Sequence, residues 1–193
     1  MSDGVRSADP AALVEENAHL KREIDRLEAR VEELDRVAHM DTLVPVANRR
    51  GLIRQLEMFI ARHQRHGTPA ALLFVDVDGL KALNDNFGHK TGDCALVYLA
   101  NLMISNVRQT DMVARIGGDE FVVLLDHADD ESACETASRL ADAVAGGDFI
   151  HEGHSLPLSV AIGYAMISKG DTPESVLDRA DREMYRDKES EAA

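Results

Sequence analysis

Tryptophan is absent and aromatic residues make up only 4% of the 193-residue chain, so any core has to be built from aliphatic side chains. Long apolar runs are missing as well. None approaches the ~20 residues needed to span a bilayer, and the opening MSDGVRSADP lacks signal-peptide character; no membrane association and a cytoplasmic location are expected. Two cysteines, Cys94 and Cys134, are too few for a disulfide framework and read as reduced thiols. Cations are scarce: 21 Lys and Arg against 35 Asp and Glu give a net charge of −14. That balance disfavours nucleic acid as a general partner. An anionic ligand such as a nucleotide would need a metal or a local basic cluster to offset the repulsion.

Glycine is missing from Pro10 to Met40, and no proline follows Pro10 in that stretch. What fills it is a heptad pattern. With Leu13, Leu20, Leu27 and Leu34 at d, positions a hold Asn17, Ile24, Val31 and Ala38, the combination that favours a parallel two-stranded coiled coil. Across such a dimer Glu16–Lys21 and Arg30–Asp35 attract, while Glu23–Glu28 is a mismatch. The competing reading is a lone amphipathic helix packed on its own domain. The expected organisation is a disordered lead-in over 1–9, a dimerisation helix over 10–40 and a catalytic domain over 41–193.

Beyond Asp41 the period changes. Helices are expected over about 48–66, 78–88, 92–107, 130–145 and 172–188, and strands over 71–78, 112–116, 121–125 and 156–167. Strands alternating with helices, plus one hairpin, predict an α+β fold: an α/β sandwich of an antiparallel-containing sheet and flanking helices.

Two acidic sites interrupt this pattern. The strand ending in FVDVDGL carries Asp76 and Asp78 on one face. Asp78 serves equally well as a helix N-cap or as a cation ligand, but a bare Asp76 after an apolar run is costly unless paired or metal-bound. Asp119 and Glu120 lie at the tip of the hairpin ARIGGDEFVVLL, where Gly117 and Gly118 are expected to supply the positive φ angles of a primed turn. If the hairpin pairs beside the Asp76 strand, the acids converge, and such oxygens suit Mg²⁺ carried with substrate phosphates.

The stretch RIGGDEF (115–121) is the signature of the GGDEF family, the diguanylate cyclases. VDVDGLKALNDNFGHKTGDCAL (75–96), ADREMYRDK (180–188) and DTLVPVANRR (41–50) resemble that family's other motifs in order and spacing. The resemblance implies a palm-like sheet shared with nucleotidyl cyclases and polymerases. It also implies condensation of two GTP molecules, one per domain of a homodimer, into cyclic di-GMP and diphosphate. Carried over residue by residue, Asp76, the Val77 carbonyl, Asp119 and Glu120 would hold Mg²⁺ (or Mn²⁺). Asp119 would also activate the 3′-hydroxyl. Lys81 would stabilise charge on the phosphates, and Lys188 would reach the terminal ones. Asn84 and Asp93 would bond the guanine edge, with His89 nearby. Glycines 117 and 118 would let the nucleotide approach the backbone closely.

Arg108 and Asp111 occupy the place of the family's R-x-x-D product-inhibition site, with Arg139 where a second inhibitory arginine often sits. Inhibition by cyclic di-GMP is therefore expected. The family's D-x-L-T-G-L-x-N-R opening has Pro45 here in place of the flexible Gly, and Leu80 replaces the usual Phe. Ala192 stands where a phosphate-binding Arg would be, leaving Arg49 and Arg50 as its candidate substitutes. The alternative function is a catalytically weak domain acting as a GTP or cyclic di-GMP receptor.

Overall fold

The computed structural model describes residues 10–191; the expected lead-in over 1–9 and Ala192 lie outside the described residues. By contacts the chain divides into two units, one up to Ala38 and one from His39 onward.

The first unit is helix α1, Pro10–His39. Its i,i+3 pairs Glu23–Arg26 (2.7 Å) and Glu33–Arg36 (2.9 Å) lie on the surface, where such pairs contribute only a few tenths of a kcal/mol. The apolar stripe expected at Leu13, Leu20, Ile24, Leu27, Val31 and Leu34 is real and bare: these side chains are 51–65% exposed.

The second unit is a four-stranded antiparallel sheet in the order β2-β3-β1-β6, with helices on both faces. Its elements are α2 (Arg49–His66), β1 (Ala70–Val77), α3 (Leu80–Phe87), α4 (His89–Ser105), β2 (Met112–Arg115), β3 (Glu120–Asp126), α5 (Asp130–Ala145), a two-stranded hairpin β4–β5 (Ile150–His151 and His154–Ser155), β6 (Val160–Met166) and α6 (Pro173–Glu191). The strands alternate between two cores. Leu73, Val75, Phe121 and Val123 pack with α4 and α5, while Leu72, Phe74, Val122 and Leu124 pack with α2 and α6. Phe121, Leu72, Leu73 and Leu124 are fully buried, each stabilising by about 1.5–3 kcal/mol.

The chain turns as its caps dictate. Asn48 caps α2 by accepting from the backbone N–H groups of Arg50 and Gly51 (2.9 and 3.0 Å), and Gly67 ends it in the left-handed region at φ 67°. Asp129 caps α5 through Ser132 N–H at 3.0 Å. Gly163 admits α6 against β6, since a Cβ there would fall 2.0 Å from the Met184 backbone nitrogen.

Three details differ from expectation. Residues 150–155 form the small hairpin, turning through Glu152 and Gly153 at positive φ, and the last long strand begins only at Val160. Asp78 does not cap α3: the N-cap is Gly79 at φ 65°, without a side-chain bond. The Asp78 carboxylate instead accepts from Ser159 Oγ (2.9 Å), and Lys188 Nζ lies 3.2 Å from it, so it turns towards the strand beside it rather than over the helix. Gly117 and Gly118 do not adopt positive φ. The loop between β2 and β3 is four residues long, closed by Ile116 N–H to Glu120 C=O at 3.0 Å, and this wider loop removes the need for a primed turn.

Candidate active site

β3 lies directly beside β1, with Asp76 opposite Glu120 in the register. Asp119 is tied to the end of β1 by the Val77 N–H, which donates to its backbone carbonyl at 3.1 Å. Asp76, Val77, Asp119 and Glu120 therefore share one end of the sheet. Asp76 and Glu120 have the parity of Phe74 and Val122, the face covered by α2 and α6.

Electrostatics there are unbalanced. The Glu120 carboxyl is pushed above the ordinary carboxylate range, first by burial and then by the charges of Asp119, Asp76 and Asp181; Arg49 acts in the opposite direction. Lys188, from α6, bonds Asp76 and reaches Asp78. Burial pulls its ammonium pKa down, but the bonds to and charges of the two aspartates outweigh this and hold it above the usual lysine value. Lys188 is thus placed on the strand-end carboxylates. Gly117 is shaped by the same cluster, since a Cβ there would meet Glu120 Oε2 at 2.3 Å. The glycine gives room to a side chain of the chain itself; beside Gly118 the space is open.

Among the described residues, no group of three or more His, Cys, Asp or Glu is arranged as a preformed metal site. Mg²⁺ takes one or two carboxylates and fills its remaining positions with water and substrate phosphate. The donor chemistry of Asp76, Asp119 and Glu120, hard oxygens in mutual repulsion, fits such an ion.

The α3–α4 pair flanks the other side of the β1 terminus. It carries Lys81, His89 and Asp93 exposed and Asn84 half-buried. Asn84 Oδ1 is buried with no hydrogen-bond partner, a polar atom whose desolvation nothing in the protein offsets.

Arg108 and Arg139 line a single cleft of about 350 Å³ with Glu135 and Ser132. Asp111 commits both carboxylate oxygens to backbone amides, accepting from Arg108 N–H (2.8 Å) and Asp126 N–H (3.0 Å). It anchors the turn that presents Arg108.

Sequence reasoning missed the frame of the acidic loop. Arg115 donates to the Gly118 carbonyl (2.7 Å) and to Asp41 Oδ1 (3.3 Å), while that oxygen also accepts from the Leu43 and Val44 N–H groups. Both residues open motifs already singled out, and the signal for them was their charge complementarity within otherwise apolar surroundings. Ser159, which bonds Asp78, carried no such signal.

A sheet of this order with paired acids at the end of its central strand and an acidic hairpin beside it defines a nucleotidyl-cyclase-like domain. The family model "Diguanylate cyclase, GGDEF domain" matches residues 38–193, and the chain belongs to that family. It is 33% identical to the diguanylate cyclase DgcP of Pseudomonas aeruginosa over 92% of its own length and 26% of that protein. It is 36% identical to the response regulator PleD of Caulobacter vibrioides over 96% of its length and 42% of that protein. The chain thus spans less than half the length of these two curated relatives. Among solved structures, the coiled coil and GGDEF domain of DgcB from Caulobacter crescentus, in complex with c-di-GMP, aligns at a TM-score of 0.84 with 26% identity, covering 93% of this chain and 95% of that one. The diguanylate cyclase SiaD of Pseudomonas aeruginosa, in complex with its activator SiaC, aligns at 0.75 with 28% identity, covering 93% and 76%. Among the described residues, no helix is long and apolar enough to cross a membrane.

Proposed function

We propose that this chain is a diguanylate cyclase that joins two GTP molecules into cyclic di-GMP, each of two protomers presenting one nucleotide to the other. One observation carries the reading: Asp76 and Glu120 are cross-strand partners with Asp119 adjacent, and burial together with the charges of Asp119 and Asp76 raises Glu120. Asp76, the Val77 carbonyl, Asp119 and Glu120 would hold Mg²⁺ or Mn²⁺, which would supply charge neutralisation at the phosphates. Asp119 accepts the proton of the 3′-hydroxyl as that oxygen bonds the α-phosphorus of the facing GTP. The bond from this phosphorus to the β-phosphate bridging oxygen breaks, and diphosphate leaves. Lys81 offsets charge that develops on the phosphates. Lys188, already extended toward this end of the sheet, takes the terminal phosphates, with Arg49 as a second basic group. Asn84 and Asp93 read the guanine edge, so that an adenine leaves both without their partners.

The bare stripe on α1 supports residues 10–40 as a parallel coiled coil, ahead of a catalytic domain that we assign to 41–193. A helix carrying six half-exposed aliphatic side chains on one face buries them only against a partner. Tethering in this way raises the effective concentration of one half-site at the other. The cleft shared by Arg108 and Arg139 supports product inhibition, because guanidinium forks suit phosphate and guanine edges alike.

Purified protein is incubated with GTP and Mg²⁺ and its nucleotides are separated. Cyclic di-GMP with diphosphate is expected; bound but unconverted GTP would favour the receptor reading. Adding cyclic di-GMP should slow turnover in the native chain and not in Arg108→Ala. In Leu27→Glu, sedimentation should show monomers, and specific activity should fall at low protein concentration.

A further inference from the structure

Gly92 stands where the backbone does not require a glycine. It lies in the first turn of α4, buried, with right-handed helical geometry; the positive-φ glycines are elsewhere. In that setting glycine is a poorer helix former than alanine. What the missing side chain permits is contact. A Cβ at position 92 would lie 2.0 Å from Asn84 Oδ1, 2.9 Å from its Cγ and 3.2 Å from its Nδ2. Exchanging the two terminal atoms of the carboxamide puts nitrogen at the same distance, so either orientation excludes a methyl group. The Asn84 amide therefore lies on the bare face of Gly92, and its buried oxygen has no partner. Two local costs, a helical glycine and an unpaired carbonyl, coincide at one point, as they do where function overrides local preference.

We propose that Gly92 is a positioning residue for guanine recognition: its missing side chain leaves the space that the Asn84 carboxamide occupies, next to Asp93. This rests on the GTP reading above. Any side chain at 92 displaces the movable end of Asn84 rather than the backbone, so a larger residue removes recognition while the fold persists.

The test uses the wild-type chain, Gly92→Ala, Asn84→Ala and the double variant. Binding of a non-hydrolysable GTP analogue with Mg²⁺ is measured by calorimetry, alongside thermal melting and the Asn84 side-chain amide cross-peak, assigned by its disappearance in Asn84→Ala. Gly92→Ala should weaken binding about tenfold, melt at the same temperature or higher, and move the cross-peak without nucleotide present. The double variant should bind like Asn84→Ala alone, because both changes remove one interaction. Three results overturn the proposal: unchanged binding in Gly92→Ala, losses that multiply in the double variant, or a melting temperature that falls with the affinity, which would put the strain on the backbone. Failure of the wild type to bind the analogue would instead strike the GTP reading, and the cross-peak would still decide whether Gly92 seats Asn84.

Discussion

Beyond each end of β6 sits a carboxylate centre, and the two are built in opposite ways. At the Met166 end, Asp171 accepts from Arg179 (2.6 and 2.9 Å), Ser168 N–H (2.7 Å) and Ser175 Oγ (3.0 Å). Arg179 also donates to the Met166 carbonyl at 2.7 Å. The Arg179 hydrogen bonds hold the Asp171 carboxyl below its usual range. At the Val160 end, burial first and then the charges of Asp119, Asp76 and Asp181 push Glu120 upward. A carboxylate whose lone pairs are answered by the protein holds a strand to a helix. One whose neighbours are other carboxylates stores repulsion that a cation relieves. On the proposed function, the first centre serves the fold and the second serves chemistry.

The largest effect that could break this division is on turnover. Asp119→Asn should reduce cyclic di-GMP formation by about 10³-fold or more, while its melting temperature stays level or rises because one like charge has left the vicinity of Glu120. A melting temperature lowered along with activity would mean that the acidic centre is structural after all. The next effect is on stability. Asp171→Asn should cost roughly 1–2 kcal/mol, discounted because Arg179 is 41% exposed and its charge is partly screened. For a chain of this size that is about 3–6 °C in melting temperature. Turnover by this variant, measured well below its melting point, should match wild type; a fall in kcat would tie the two ends of the sheet together.

The division also sorts what could be read from the sequence. The acidic centre was legible because its chemistry contradicts its surroundings: Asp76 follows an unbroken apolar run, and Asp119–Glu120 breaks what would otherwise be one strand. The α1 stripe was legible from its period, and the strand–helix alternation gave the sandwich. Asp171 and Arg179 were not legible, since an Asp and an Arg eight positions apart around a helix start resemble any solvated pair until the chain folds back from β6. The fate of Asp78 was obscure for a related reason: its choice between capping α3 and turning to Ser159 depends on a residue 81 positions distant, just ahead of β6. Gly117 was read as a turn glycine because the sequence shows a glycine but not the Glu120 carboxylate that approaches it.

The smallest effect gives the sharpest contrast, because between pH 5 and 8 only the acidic centre should respond to pH. Glu120 has a folded pKa above its ordinary 4.5. Below 4.5 both folded and unfolded chains are protonated there, and the residue costs nothing. As pH rises through the interval up to the raised value, the unfolded chain ionises first and stability is lost. Glu120→Gln should therefore melt above wild type at neutral pH, by about 2 °C, with the advantage closing as pH falls toward 4.5. Asp171 has a folded pKa below its ordinary 3.8. Its contribution is complete above 3.8 and is lost only as pH falls through the depressed folded value, so the Asp171→Asn penalty should be flat from pH 5 to 8. Melting curves of the three proteins across that range, repeated with Mg²⁺ and a non-hydrolysable GTP analogue, make the comparison. Cation and nucleotide should abolish the advantage of Glu120→Gln and leave the Asp171→Asn penalty intact. A Glu120→Gln advantage that survives saturation would mean that Glu120 is strained by burial alone and takes no part in holding the metal.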